Sequence, residues 1–379
     1  MLVQKKEMLE KLAYLAVAVA AKNNNLQMDC LVFDGHAFHT FNDDVAVSVP
    51  VPELKGVPKF AAKFKEFQAF IAKWPRDDFE FEVTDTHVCI SNKRARARVA
   101  CESQILMPYN EWNKGTADIE LDRDFSEGLA LVAPVCGKDS TRPLMTCVWL
   151  YGRNIIATDS VSLARFKLGN EDLPTDAPIY LPAAAAAIVS KFSALAYGVS
   201  ANNQWMFFRV GDKKHKAIIA CRTPSFGEEG NETLQSMLAL FKHKMLVKFD
   251  LPARLEEILD RASVILREEV GGLLGLLVRV ELETDWMTIT TTSQLGDYTE
   301  RQRVDFKGQY IDFYVNAEFL AKAIKDRQTI GVCDRLVRVY GKNFDYLVAR
   351  AKVHEEEVDV NPTNANTHSE EVNPDDIPF

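Results

Sequence analysis

The sequence predicts an α+β protein made of three copies of one unit. Three observations predict it. An order of helix, strand-rich block, second helix and second strand-rich block recurs at intervals of roughly 120–130 residues. The strand blocks alternate apolar and polar residues with period two. Proline or asparagine stands near the start of each second helix, at Pro58, Pro182 and Asn316.

The elements follow in order. The first helices are expected at Gln4–Ala21, Leu121–Val132 and Leu251–Arg267. The first strand blocks are Cys30–Val51, turning at Asp34-Gly35, then Thr146–Leu168, turning at Tyr151 to Asn154, then Leu277–Phe306, turning near Glu283 to Asp285. Second helices are expected at Lys59–Lys73, Pro182–Leu195 and Asn316–Arg327, and second strand blocks at Phe79–Cys101, Tyr197–Arg222 and Thr329–Val353. This order gives domain boundaries at 1–112, 113–241 and 242–353, with 354–379 as a disordered acidic tail. Repeated units that each expose sheet edges join edge to edge, and closure into a ring removes those edges.

Composition is that of a soluble globular chain, 47% hydrophobic and 26% charged over 379 residues, long enough for two or three domains. Seven cysteines are scattered singly, with no C-x-x-C pair, which fits a reducing compartment and no structural zinc. His36 and His39 lack a third ligand nearby, so neither a metal nor a cofactor is expected. The apolar run Leu12–Ala21 is too short to span a bilayer, and Glu7 and Glu10 interrupt the basic stretch before it. An amphipathic first helix and a cytoplasmic protein are the expectation.

Charge is distributed unevenly. Residues 354–379 hold eight acids and no Lys or Arg; the whole chain carries −9 and this stretch −8, so residues 1–353 carry −1. The stretch closes on Asp375, Asp376, Ile377, Pro378 and Phe379. An apolar slot would take the ring and basic side chains the acids. This resembles the C-terminal tip of bacterial single-stranded DNA-binding proteins, which implies recruitment of proteins that recognise such tips.

The segment Thr141-Arg142-Pro143-Leu144, followed by Ala157-Thr158-Asp159-Ser160-Val161-Ser162-Leu163-Ala164, resembles the second domain of the bacterial DNA polymerase sliding clamp, the beta clamp. There an Arg-Pro strand leads to Ala-Thr-Asp-Gly-His-Arg-Leu-Ala. Asp260-Arg261-Ala262-Ser263, Gly296, Phe313, Val315, Asn316, Phe319 and Leu320 resemble its third domain. The resemblance covers residues 1–353 and implies a head-to-tail homodimeric ring, with helices inside and sheets outside, acting as a processivity factor around duplex DNA. It implies a clamp loader and a DNA polymerase as partners.

A basic lining would contact phosphates without reading sequence. Its candidates are Lys5, Lys6, Lys11, Lys63, Lys65, Lys73, Lys191, Arg254, Arg261, Lys322 and Lys325. The resemblance also implies a pocket for short apolar peptides of the Gln-x-x-Leu-x-Leu-Phe kind, walled by Arg142, Met145, Thr158, Asp159, Val161, Leu163, Pro224, Leu347 and Val348. For ring closure, Val264, Ile265 and Leu266 would meet a partner's strand around Val99 and Cys101.

Two departures stand out. Ser160-Val161-Ser162 replaces Gly-His-Arg, and the family's Met-Pro-Met-Arg-Leu ending reads Ala349-Arg350-Ala351-Lys352-Val353. Both fit a clamp serving its own polymerase, as in a phage. The run Gln235 to Phe241 itself has the form of a clamp-binding peptide; as a connector its apolar residues would pack locally.

An enzyme is disfavoured, because no Gly-rich phosphate loop or nucleophile motif is present. Asp159, in its Ala-Thr-Asp setting, reads as a hydrogen-bonding turn residue. Two alternatives remain: a clamp-fold adaptor that does not encircle DNA, and a single-stranded DNA-binding or recombination accessory protein. The latter needs stacking platforms, whereas Trp74, Trp112, Trp149, Trp205 and Trp286 are spread singly through apolar segments.

Overall fold

The computed structural model describes residues 1–21, 26–112, 114–170, 172–174, 176–211, 216–266, 276–325 and 329–351. The chain divides into two compact units. The first comprises Met1–Pro134, Cys147–Arg153 and Leu168–Phe226; the second comprises the described residues of Val135–Thr146, Asn154–Lys167 and Gly227–Phe379.

In the first unit an antiparallel sheet runs Leu2–Gln4, Asp78–Val83, His87–Ser91, Arg96–Glu102, Phe60–Lys63, Cys30–Phe33, Ala37–Phe41, Val45–Pro50, Lys216–Arg222, Trp205–Gly211, Ala194–Val199 and Ile119–Glu120. In the second unit the order is Asn154–Thr158, Ser162–Lys167, Phe344–Ala351, Ile311–Asn316, Leu277–Glu283, Trp286–Ser293 and Gly296–Arg303. A branch leaves Phe344–Ala351 through Leu336–Tyr340 and Thr329–Val332 to Val247–Asp250.

One pairing scheme recurs three times. A short strand ahead of a helix pairs with the first strand of the later block: Leu2–Gln4 with Asp78–Val83, Ile119–Glu120 with Ala194–Val199, and Val247–Asp250 with Thr329–Val332. The strand ahead of the second helix pairs with the first strand of the earlier block: Phe60–Lys63 with Cys30–Phe33, Ile179–Pro182 with Cys147–Tyr151, and Ile311–Asn316 with Leu277–Glu283.

The helices are α1 (Lys5–Leu15), α2 (Phe64–Lys73), α3 (Phe125–Val132), α4 (Ala183–Val189), α5 (Gly227–Leu240), α6 (Leu255–Ser263) and α7 (Ala317–Ile324). They pack in pairs, α1 on α2, α3 on α4, and α6 on α7. Each presents an apolar stripe inward. Met8, Leu12 and Leu15 of α1 are fully buried, as are Phe67 and Ile71 of α2. Asn316 caps α7, its side chain accepting from the amides of Glu318 at 3.0 Å and Phe319 at 3.2 Å.

The helices are shorter than the sequence reading. Residues 60–63, expected as helix, form a strand because Phe60 to Lys63 pair in register with Phe33 to Cys30. Gln4, likewise, belongs to a strand. Helix α5 is an addition: the run Gln235 to Phe241 is helical through Leu240 and buries Met237, Leu240 and Phe241. Among the described residues no helix is long and apolar enough to cross a membrane, and no group of metal-ligating side chains is found.

Candidate partner-peptide site

In the second unit the segment Val135–Thr146 meets the turn that joins Asn154–Thr158 to Ser162–Lys167. The Gly137 amide donates to the carbonyls of Met145 at 2.8 Å and Thr158 at 3.2 Å. A Cβ on Gly137 would lie 3.2 Å from that of Met145, so a larger residue would push the two segments apart. Asp159 builds the turn: its Oδ1 accepts from the Val161 amide at 3.0 Å, the Ser162 amide at 2.6 Å and the Ser162 hydroxyl at 3.0 Å. That use of the carboxylate makes Asp159 a turn residue.

Ser160 has φ 75°, in the left-handed region. It stands where the resembled motif has glycine, and a side chain there costs about 1–2 kcal/mol. Arg142 Nη1 donates to Ser160 Oγ at 3.0 Å, bringing the exposed guanidinium to the turn. The neighbouring strand lies in register, Ser162 opposite Val348 and Leu163 opposite Leu347, and the Ala349 amide donates to Val161 O at 2.9 Å.

The structure changes the membership of the wall. Thr158, Leu163, Leu347 and Val348 are completely buried. They form the core beneath the site, because central strands are covered on both faces here. The accessible rim is Arg142, which is exposed, with half-buried Met145, Asp159 and Val161 and the half-buried last-strand residues Ala349 and Arg350. Pro224 is half-buried and belongs to the first unit.

Further along the same strands lies a charged group that sequence reading missed. Asp345 Oδ1 accepts from Arg338 Nε at 3.1 Å and Nη2 at 2.8 Å, while Arg165 donates to Oδ2. All three side chains are largely buried. Burial would raise the Asp345 carboxyl, but hydrogen bonds from Arg165 and Arg338 outweigh it and hold it below the usual carboxylate range. Arg165 also stacks on Phe241, 3.9 Å from the ring centroid, and Arg338 Nη1 donates to Phe241 O at 2.9 Å. The end of α5 is thereby tied to the strands that form the site. Arg165, 180 residues before Asp345, carries no local motif that points to the Arg338–Asp345 hairpin pair.

Of the candidate DNA-facing cations, Lys11 requires correction. It is buried and ion-paired with Glu53, because its position on α1 faces the body of the first unit. Others are exposed but engaged: Lys63 with Asp29, Arg254 with Glu257, and half-buried Arg261 with Glu300. Helix α6 also exposes Glu256, Glu257 and Asp260. Lys5 donates to Trp74 O at 2.7 Å and, with Lys6, lines an open groove shared with Leu9, Glu10, Ala13 and Asp77. Lys6, Lys65, Lys73, Lys191, Lys322 and Lys325 are exposed.

Of the candidate closing residues, Val264 is 76% exposed and Ile265 and Cys101 are half-buried. Val99 and Leu266 are buried, and so belong to the core of their own units in this chain. Among the described strands with an open edge are two long ones. Arg96–Glu102 pairs with Phe60–Lys63 only at Cys101 and Glu102, and Gly296–Arg303 ends its strand order, paired on one side. The tip Asp375, Asp376, Ile377, Pro378 and Phe379 lies outside the described residues.

Solved structures share this architecture across nearly the whole chain. The beta chain of DNA polymerase III from Streptococcus pneumoniae superposes with a TM-score of 0.76 at 14% identity, covering 93% of this chain and 99% of that one. The fold is that of a bacterial sliding clamp. The DNA polymerase sliding clamp from Bacillus subtilis gives a TM-score of 0.73 at 16% identity, with the same 93% and 99% coverage. The DNA polymerase III beta subunit from Thermotoga maritima gives 0.72 at 16%, again covering 93% and 99%. No protein-family model and no curated protein matches the sequence. The clamp fold is thus carried by topology and packing at very low identity.

Proposed function

We propose that two copies of this chain close head to tail into a ring around duplex DNA and tether a DNA polymerase to it. The observation that carries this reading is the clamp fold over 93% of the chain, together with two sparsely paired strand edges. The edge Arg96–Ala100 carries exposed Arg96 and Arg98, and the edge Gly296–Arg303 carries Asp297 and Glu300. An antiparallel pairing between copies would satisfy both edges. Val264 would be covered in the same contact. The domains of the ring are 1–112, 113–241 and 242–353, the helices face the hole, and the protein works in the cytoplasm without catalysing a reaction.

The lining reduces to Lys5, Lys6, Lys65, Lys73, Lys191, Lys322 and Lys325, with Lys63, Arg254 and Arg261 offset by acids. Partner peptides would lie on the rim formed by Arg142, Met145, Asp159, Val161, Ala349 and Arg350. The loader opens the ring, and the tip Asp375–Phe379 recruits proteins that recognise single-strand-binding-protein tips. Sedimentation equilibrium tests the assembly. A dimer at micromolar concentration is expected, and a Val264→Asp chain should sediment as a monomer. A wild-type monomer would contradict the ring.

A further inference from the structure

We propose that the acidic segment Asp375–Phe379 docks on the solvent face of this chain's own C-terminal sheet, at Trp286 and Arg303. The inference does not depend on ring closure or on recruitment by the tip. Trp286 differs from the other tryptophans. Trp74, Trp112, Trp149 and Trp205 are all buried, whereas Trp286 is half-buried on a sheet face turned to water. Alternation along Trp286–Ser293 puts Met287, Ile289 and Thr291 inside and Trp286, Thr288 and Thr290 outside. Arg303 lies directly opposite Trp286 and Arg301 opposite Thr288, so all four share the outer face. The two guanidinium carbons stand 5.4 and 4.5 Å from the indole centroid.

The other guanidiniums of this face are spent. Arg279 pairs with Asp312 and Glu281, and Arg301 pairs with Glu283 at 3.0 Å. Among the described residues Arg303 has no carboxylate partner. A guanidinium held against an indole with its charge unspent suits a ligand that combines a carboxylate and an aromatic ring. Asp375, Asp376 and Phe379 offer that combination within five residues.

Register makes this segment the occupant. Ala351 lies opposite Tyr314, Tyr314 opposite Arg279, Arg279 opposite Thr290, and Thr290 opposite Thr299. The chain thus leaves the last described strand on the same face. Because Arg350 faces Val315 and Ala351 faces Tyr314, the strand is heading toward the row of Asp312, Glu281, Thr288 and Arg301, and beyond it the row of Glu283, Trp286 and Arg303. Four residues along and three strands across separate Ala351 from Trp286, about 20 Å at ~3.3 Å per residue and ~4.8 Å per strand. Residues 352–379 number 28, a length that reaches about 30 Å at the scaling of a polar, Asn- and Pro-rich linker. The local concentration of the tip at Trp286 is then on the order of millimolar. Residues 354–379 carry eight acids and no Lys or Arg, so Arg303 is the complementary charge. A site too weak to hold a free peptide at micromolar concentration would still be filled by this tether.

Acrylamide quenching of tryptophan fluorescence reads the site, because Trp286 is the accessible indole. In the full chain at low salt, the triple variant Asp375→Asn, Asp376→Asn, Phe379→Ala should raise the quenching constant about twofold. Arg303→Glu should produce the same rise and add nothing further in the triple variant. Adding a synthetic peptide spanning Asn373–Phe379 at millimolar concentration should return the triple variant toward wild type. Far-ultraviolet circular dichroism and thermal melting of each variant, expected to match wild type, keep misfolding from mimicking the effect. Equal quenching of wild type and triple variant would overturn the proposal. So would an Arg303→Glu effect that persists undiminished in the triple variant, or a difference that vanishes on dilution, which would place the tip on a second copy.

Discussion

Replacing Asp345 by Asn removes the anion between Arg165 and Arg338 while keeping the shape of the side chain. The carboxylate accepts from both guanidiniums, and the exposures of the three side chains are 9%, 13% and 14%. Removing one partner from a buried ionic group leaves uncompensated charge and costs about 3–5 kcal/mol. With an m-value of about 2 kcal/mol/M, the urea midpoint of the second unit should fall by about 1.5–2.5 M. The sign with pH follows from the depressed carboxyl of Asp345. Its stabilisation is fully present above the ordinary aspartate pKa of about 3.9 and is lost as pH falls through the lower folded value. The gap between wild type and Asp345→Asn should therefore be constant from pH 5 to 7 and close below about pH 4. Urea titrations followed by far-ultraviolet circular dichroism at several pH values read both effects. A midpoint shift under about 0.5 M, the size expected of an exposed pair, would refute the buried-triad reasoning.

Ser160→Gly should stabilise the second unit by up to about 1 kcal/mol, because the left-handed backbone at φ 75° is relieved; a loss of stability on thermal melting would show that the Arg142 contact dominates. Asn316→Ala removes the cap of α7 and should cost about 1 kcal/mol by the same measurement; no change would mean the cap is replaced. Charge reversal at Lys6 or Lys65 should lower the slope of log affinity for duplex DNA against log salt by about 0.9 for each lost phosphate contact. Lys11→Glu, facing Glu53 in the interior, should lower the melting temperature instead, and an unchanged melting temperature would return Lys11 to the lining.

How far the sequence could be read depended on whether a feature was local. Helices α1, α3, α6 and α7 announce themselves through apolar spacing or caps, and the Ala157-Thr158-Asp159 turn through its Asx chemistry. The clamp fold itself was legible because short motifs recur in order, although the solved clamps named here are only 14–16% identical. What escaped was decided by distant partners. Residues 60–63 read as helix until Cys30–Phe33 pairs with them. Lys11 reads as a surface cation until Glu53, on a later segment, meets it. The resemblance places Leu163 and Leu347 in the pocket wall, and a motif match cannot say that both faces of their strands are covered. The Arg165–Asp345–Arg338 group joins a hairpin pair to an arginine 180 residues before Asp345, and nothing near Arg165 signals the other two. Helix α5 begins at Gly227 and carries acidic residues in its first turn, a signal outweighed by the peptide-like run at its end.

Topological retention on DNA tests the ring most directly. Protomers separated by dilution are reassembled in the presence of nicked circular plasmid, and the mixture is passed over a gel-filtration column at moderate salt. Encirclement is expected to carry the protein through with the circle and to release it after a single restriction cut. Co-elution that survives linearisation, or no retention on the circle although the protein is dimeric, would contradict a clamp that surrounds duplex DNA.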